Sequence, residues 1–135
     1  MKEGQVINSL MELPQFEPEE RFVHLPRLNV VFQLRELTYN QLMNLVQDPD
    51  REIQLILKAT INHPELKDFN WYHDKMRCAT PVDALKKLLR KGEVERVCRV
   101  IDLLHGYAVG SVVAVNEDDL QKLAISKAVE ELEKN

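Results

Sequence analysis

Between Arg21 and Leu37 the apolar residues follow a period of two. Val30, Phe32 and Leu34 alternate with Val31, Gln33 and Arg35, which places one set on the covered face of a β-strand. The preceding run Phe22-Val23-His24-Leu25 is similarly rich in β-branched and aromatic residues, and Pro26 to Asn29 supply the connection of a hairpin spanning 21–37. Two strands alone are marginal in water, so this hairpin is expected to lie against helices.

After Leu37 the period becomes helical. Thr38 is a natural N-cap, and Gln41 three residues later completes a capping box, followed by Leu42, Leu45 and Val46 at helical spacing. Asp48-Pro49 restarts the count, with Asp48 as cap and Pro49 at a first helical position, where its missing N–H costs nothing. A central helix is expected from Ile53 to Ile61. It is apolar at Ile53, Leu55, Ile56, Leu57, Ala59 and Ile61, around most of its circumference, as a helix covered on several sides must be. His63-Pro64 ends it, because a residue before proline avoids the α region.

Pro64 to Ala79 scatters Leu66, Phe69, Trp71, Tyr72 and Met76 among charges and reads as a short helix or irregular segment. Thr80-Pro81-Val82-Asp83 is a strong helix start, and Val82, Leu85, Leu88 and Leu89 form one stripe up to Gly92. Glu93 is read as opening the next helix, with Val94, Val97, Cys98, Ile101 and Leu104 facing inward and Gly106 closing it. Tyr107 to Val115 reads equally as a strand or an apolar linker. Asn116 caps a last amphipathic helix over 116–134, with Glu117, Asp118 and Asp119 in its first turn and Leu120, Leu123, Ala124, Ala128 and Leu132 on its apolar side.

Residues 1–20 differ from the rest. Pro14, Pro18 and the acidic cluster Glu17, Glu19 and Glu20 leave little to bury, so the segment is expected to be weakly ordered. Val6, Ile7, Leu10, Met11 and Leu13, within Met1 to Leu13, have rough helical spacing and are expected to form a short helix only on contact with a partner. The expected fold class is mainly α: a compact bundle of about five helices with a small N-terminal β-hairpin, residues 21–135 forming a single domain.

Composition narrows the function. A chain of 135 residues supports one core, and its net charge of -4 argues against general nucleic-acid binding, which draws on lysine and arginine neutralising phosphates. Lys86, Lys87, Arg90 and Lys91 read as a solvated helix end. No apolar run is long enough to span a bilayer, and the N-terminus lacks the pattern of a secretion signal, so the expected location is the cytoplasm. Cys78 and Cys98 are accordingly read as free thiols.

No catalytic constellation emerges. His63, His73, His105, Cys78 and Cys98 lack the close paired spacing of a zinc site, so no metal is expected. Cys98, Asp102 and His105 share a helix, but seven residues put the thiol and imidazole roughly ten ångströms apart along its axis, too far to share a proton. Cys98 also lies on the inward stripe, where burial makes a thiol inert. Asp48 with Asp50, and Glu117 with Asp118, have capping or solvent explanations. With four glycines and no G-x-G-x-x-G or Walker sequence, phosphate-cradling loops are absent and no cofactor is expected. Phe69, Trp71 and Tyr72 are the candidate partner-binding residues, since exposed aromatic side chains are enriched at binding hot spots; the competing reading is that they pin an irregular segment to the core.

Several of these motifs, taken in order, resemble the XkdN-like phage tail assembly chaperone family. The run Arg27-Leu28-Asn29-Val30 and then Phe32-Gln33-Leu34-Arg35-Glu36-Leu37-Thr38 is similar to the family's hairpin and its R-x-L-T step into the first helix. Leu57-Lys58-Ala59-Thr60-Ile61 resembles its central helix. Thr80 to Leu89, the Gly92-Glu93 break and Ile101 to Tyr107 continue the likeness, which covers roughly residues 21–107. The resemblance implies a non-enzymatic cytoplasmic chaperone of a long-tailed phage or prophage. Such a protein keeps the tape measure protein soluble, helps tail tube protein gather on it, and leaves before the particle is complete. A homo-oligomer is compatible with it; nucleic-acid and membrane partners are not expected. The alternative is another non-catalytic tail morphogenesis or adaptor subunit, retained in the particle. A helical DNA-binding regulator is a more distant reading that would need a basic recognition face. A client with a long apolar-striped helix would be held by helix-in-groove contacts.

Overall fold

The computed structural model describes residues 6–122. Contacts divide the chain into a unit from Pro18 to Ala108 and another formed by Met1–Glu17 with Val109–Asn135, where the sequence pattern reads 21–135 as one domain.

In the first unit, strands β1 (Glu20–Leu25) and β2 (Val30–Arg35) pair antiparallel, with Val23 opposite Phe32 and Leu25 opposite Val30. The connection is the expected Pro26 to Asn29, and Asn29 takes the left-handed conformation (φ 49°) that its short polar side chain tolerates. Phe32 and Leu34 are buried while Val31 is exposed, so the period of two separates the faces as expected. Burial of side chains such as Leu34 stabilises by about 1.5–3 kcal/mol each relative to exposure.

The capping box at Thr38 is formed: its hydroxyl accepts the Gln41 N–H and the Gln41 side chain accepts the Thr38 N–H. The helix it starts, α1 (Tyr39–Met43), is short. Leu45 reaches the core from the turn that follows, but Val46 lies beyond the helix and is exposed, contrary to the helical spacing read for it. Helix α2 (Arg51–Ala59) begins later than the Asp48-Pro49 signal indicates. The Asp48 carboxylate accepts the Asp50 N–H at 2.7 Å and its carbonyl accepts the Arg51 N–H, so Asp48 organises a turn, with Pro49 inside it, rather than capping the helix. At its other end α2 stops before Ile61, because Thr60 bridges Leu34 and the Ile61 N–H donates to the Gln33 carbonyl of β2 at 2.9 Å. Ile53, Leu55, Ile56, Leu57 and Ala59 are all buried, making α2 the central helix.

The segment after Pro64 resolves into a 3₁₀ turn, Pro64–Lys67, and a wide π turn, Asn70–Lys75. Helix α3 (Pro81–Leu88) is capped by the Thr80 hydroxyl, which accepts the Asp83 N–H at 3.1 Å. Helix α4 (Lys91–Leu104) contains Gly92 in its first turn. The expected break at Gly92 lies instead at Leu89 and Arg90, whose ψ angles of 144° and 154° are extended, and Glu93 serves as a cap residue rather than the opening one. Val94, Val97, Cys98, Ile101 and Leu104 face the core as read from their spacing. Gly106 closes α4 at φ 86°, and the Tyr107 N–H donates back to the Asp102 carbonyl.

Two side chains fasten the hairpin. His105 Nε2 accepts the Leu37 N–H at 2.8 Å, which requires the proton on Nδ1, where it is donated to the Ile101 carbonyl. Asn62 closes the outer edge of β2: its Oδ1 accepts the Gln33 N–H and its Nδ2 donates to the Val31 carbonyl, both at 2.9 Å. With the Ile61 N–H on the Gln33 carbonyl and His63 Nε2 also on the Val31 carbonyl, at 2.7 Å, this side-chain amide makes part of the bonds that a third strand would make.

In the second unit, Ser9 caps a 3₁₀ turn, Leu10–Glu12, and Leu10 and Met11 are exposed. Residues 111–115 form no strand, and their valines are exposed. Asn116 Oδ1 accepts the Asp119 N–H at 2.8 Å, and residues 117–122 are helical. The rest of the expected 116–134 helix, with Leu123, Ala124, Ala128 and Leu132, lies outside the described residues.

Replacing Asn62 by Ala takes the acceptor from the Gln33 N–H, leaves the Val31 carbonyl its His63 bond, and removes no core volume. The expected cost is about 1 kcal/mol in urea denaturation, with faster hydrogen exchange at the Gln33 amide.

Candidate functional site

The apolar opening most suited to a partner lies between β1 and α4, a groove of about 330 Å³. Val23, Leu25 and Pro26 form one wall, and Val97 and Val100 the other. His24 also lines it, although successive side chains of a strand point to opposite faces. Consecutive residues from Val23 to Pro26 can share one wall only if the strand is presented partly edge-on.

That edge is open. Gln33 turns its N–H and carbonyl outward to Asn62 and Ile61, so its partner Phe22 must turn its own backbone groups away from β2, and His24 opposite Val31 does the same. Among the described residues no group bonds the Phe22 or His24 backbone on that side. The two edges of the hairpin are therefore unlike: the β2 edge is closed at Gln33 and Val31, whereas the β1 edge is open at Phe22 and His24 and only the Glu20 carbonyl at its start is taken, by the Arg21 guanidinium. Phe22 adds an aromatic ring, 68% exposed, beside the free edge.

The rim of the groove is charged. Arg27, in the hairpin connection, forks onto both oxygens of Glu93, at 3.1 and 2.7 Å, and donates to the Leu88 carbonyl at 2.7 Å. Glu93 also accepts the Arg90 N–H at 2.7 Å. One carboxylate thus caps α4 and holds the tip of the hairpin, and these bonds, from Arg27 first and Arg90 second, keep it at about 2, well below the usual 4.5. With Glu93 neutralised, Arg96 is the remaining charge of the lining, and it has no ion-pair partner among the described residues. Arg21, on the same face of β1 as Val23 and Leu25, donates to the Glu20 carbonyl at 3.1 Å, and its one carboxylate contact is Glu19 at 3.8 Å. The groove of an acidic chain therefore has a cationic rim.

The aromatic candidates separate. Trp71 packs against the core, in a cleft with Leu28, Phe32, Leu66 and Leu88. Phe69 is exposed and stacks on His73 at 4.2 Å, with Tyr72 edge-on to it at 5.7 Å. The Trp71 carbonyl accepts the Met76 N–H, the bond that makes the turn a π turn and directs Trp71 inward while Phe69 stays outside. Trp71 thus serves packing, and Phe69 with Tyr72 forms a small external cluster; the three do not make one surface.

Neither cysteine joins a polar constellation. Cys98 is buried, its thiol donates to the Glu52 carbonyl at 3.4 Å, and burial pushes it up to about 12. Both His105 ring nitrogens are engaged with backbone groups, so the thiol and imidazole have separate partners. Among the described residues no polar or charged side chain is fully buried, and no three His, Cys, Asp or Glu side chains cluster as metal ligands would.

Comparison of the chain with protein-family models, with curated proteins and with solved structures finds no match. The groove, assembled from residues some seventy positions apart, was not legible from the sequence; only the β-branched and aromatic run of β1 and the inward stripe of α4 pointed to its walls.

Acidification tests the Arg27–Glu93 link. A carboxyl held below its ordinary range contributes stability above about 4.5 that is lost as the pH falls through about 2. The urea midpoint should therefore drop on going from pH 5 towards pH 2, and Glu93→Gln should lower it at pH 5 and flatten the drop.

Thiol labelling tests the burial of Cys98. At pH 8 a disulfide reagent should modify Cys78 in the folded protein, whereas Cys98 should react only in denaturant, because its thiolate is not populated while it is buried.

Proposed function

We propose that the chain is a non-catalytic tail assembly chaperone of a phage or prophage, acting in the host cytoplasm. It holds the tape measure protein soluble and assists the gathering of tail tube protein. Supporting this reading is the resemblance of residues 21–107, in order, to the XkdN-like family. The observation that carries it is the β1–α4 groove: an open apolar recess whose one carboxylate is already ion-paired with Arg27, suited to gripping a chain.

The energetics favour a reversible grip. Covering a few hundred Å² of apolar surface yields, at about 25 cal/mol per Å², a gross gain that the cost of association largely offsets. A chaperone that must leave its client needs such a contact, weak singly and repeated along a long chain. The exposed Phe69, with the half-buried Tyr72 edge-on to it, extends the surface available to a partner.

Co-expression with the tape measure protein of the same phage or prophage tests the reading. The chaperone should move that protein from the insoluble to the soluble fraction and be missing from purified particles. Its retention in finished particles would instead identify a structural subunit.

A further inference from the structure

The hairpin offers a partner two things at once: an apolar floor, and a line of backbone N–H and carbonyl groups at Phe22 and His24 that β2 does not use. A helix laid in the groove would cover that line without bonding to it, since a helix spends its backbone groups on itself. Backbone polar groups covered in this way and left unpaired oppose binding. An extended chain satisfies them. Resting on the chaperone reading, we propose that the partner is bound as an added β-strand along β1, by an extended apolar segment that carries acidic residues at its flanks.

Three features fit this occupant. Alternate side chains of an added strand fall on the α4 side, over Val97 and Val100, while the other set lies beside Phe22 on the open face. The acidic flanks meet Arg96 and Arg21, cations that no ion pair occupies closely. The closure of the β2 edge by Asn62 leaves β1 as the edge along which the hairpin can extend. The client segment is therefore recognised by its backbone and its charge pattern, with loose demands on side-chain identity, as a protein that coats a long chain requires.

The probe is a synthetic peptide of alternating valine and threonine with two aspartates at each end, titrated calorimetrically into the full chain. It should bind and slow hydrogen exchange at the Phe22 and His24 amides. His24→Pro removes an edge N–H that β2 does not use, and should weaken binding about tenfold, the effect of losing one well-made hydrogen bond. Arg96→Glu lies on an exposed helix face and should weaken the aspartate-ended peptide while strengthening a lysine-ended one, a reversal that misfolding cannot imitate. Absence of peptide binding, unprotected Phe22 and His24 amides, or equal binding by His24→Pro would overturn the proposal. So would a concentration-dependent dimer with protected edge amides and no peptide, which would assign the edge to a second copy of the chain. The tape measure assay separates the two readings. If His24→Pro keeps that protein soluble as well as the unaltered chain, the strand proposal fails and the chaperone reading stands. If the peptide binds as described but the tape measure protein stays insoluble, the edge site stands and the chaperone reading fails.

Discussion

A two-stranded hairpin cannot bury enough by itself to stay folded, and the arrangement of Pro18 to Ala108 follows from that constraint. Phe32 and Leu34 must find cover, and α2 and α4 provide it, with Leu34, Ile56 and Ile101 wholly enclosed. Once the hairpin face is fixed, its ends need fastening. His105 holds the strand exit through the Leu37 N–H, and Glu93 holds the tip through Arg27. Glu93 lies in the first turn of α4 and His105 directly follows its last residue, so this helix, the longest among the described residues, acts as a splint along the hairpin.

Glu93 shows how economically this is done. Its carboxylate serves the Arg90 N–H, an orphan donor that any helix start leaves, and receives the Arg27 fork through the same two oxygens. The hairpin tip is therefore tied to the start of α4 and, through the Leu88 carbonyl, to the end of α3. The chain can change direction sharply at Leu89 and Arg90 because both termini are held by one arginine.

Local chemistry made much of this legible beforehand. Thr38 with Gln41, Thr80 with Pro81, and Gly106 act within one turn, so the expected caps and the observed ones coincide. The period of two in β2 and the inward stripe of α4 likewise need no distant information. Boundaries failed where a long-range bond competed with a local signal. Ile61 leaves the helical pattern to pair with Gln33, and Asp48 prefers the Asp50 amide to a capping role. Glu93 looked like the first residue of a helix because its real partner, Arg27, is far away in the chain. The groove was hidden for the same reason. Its essential feature is an unpaired backbone edge, which carries no side-chain signature, whereas the aromatic cluster that did stand out divides into a packing residue, Trp71, and the exposed Phe69 with the half-buried Tyr72 against it.

The side-chain amide of Asn62 has a further effect on stoichiometry. A sheet that is open on both sides can grow without limit, each new strand exposing another edge to the next molecule, which is how fibres propagate. Here one side is plugged by a group that cannot itself be extended. Growth by strand addition along this hairpin is thereby confined to a single direction, so copies of the chain brought close together cannot zip to one another through their β2 edges.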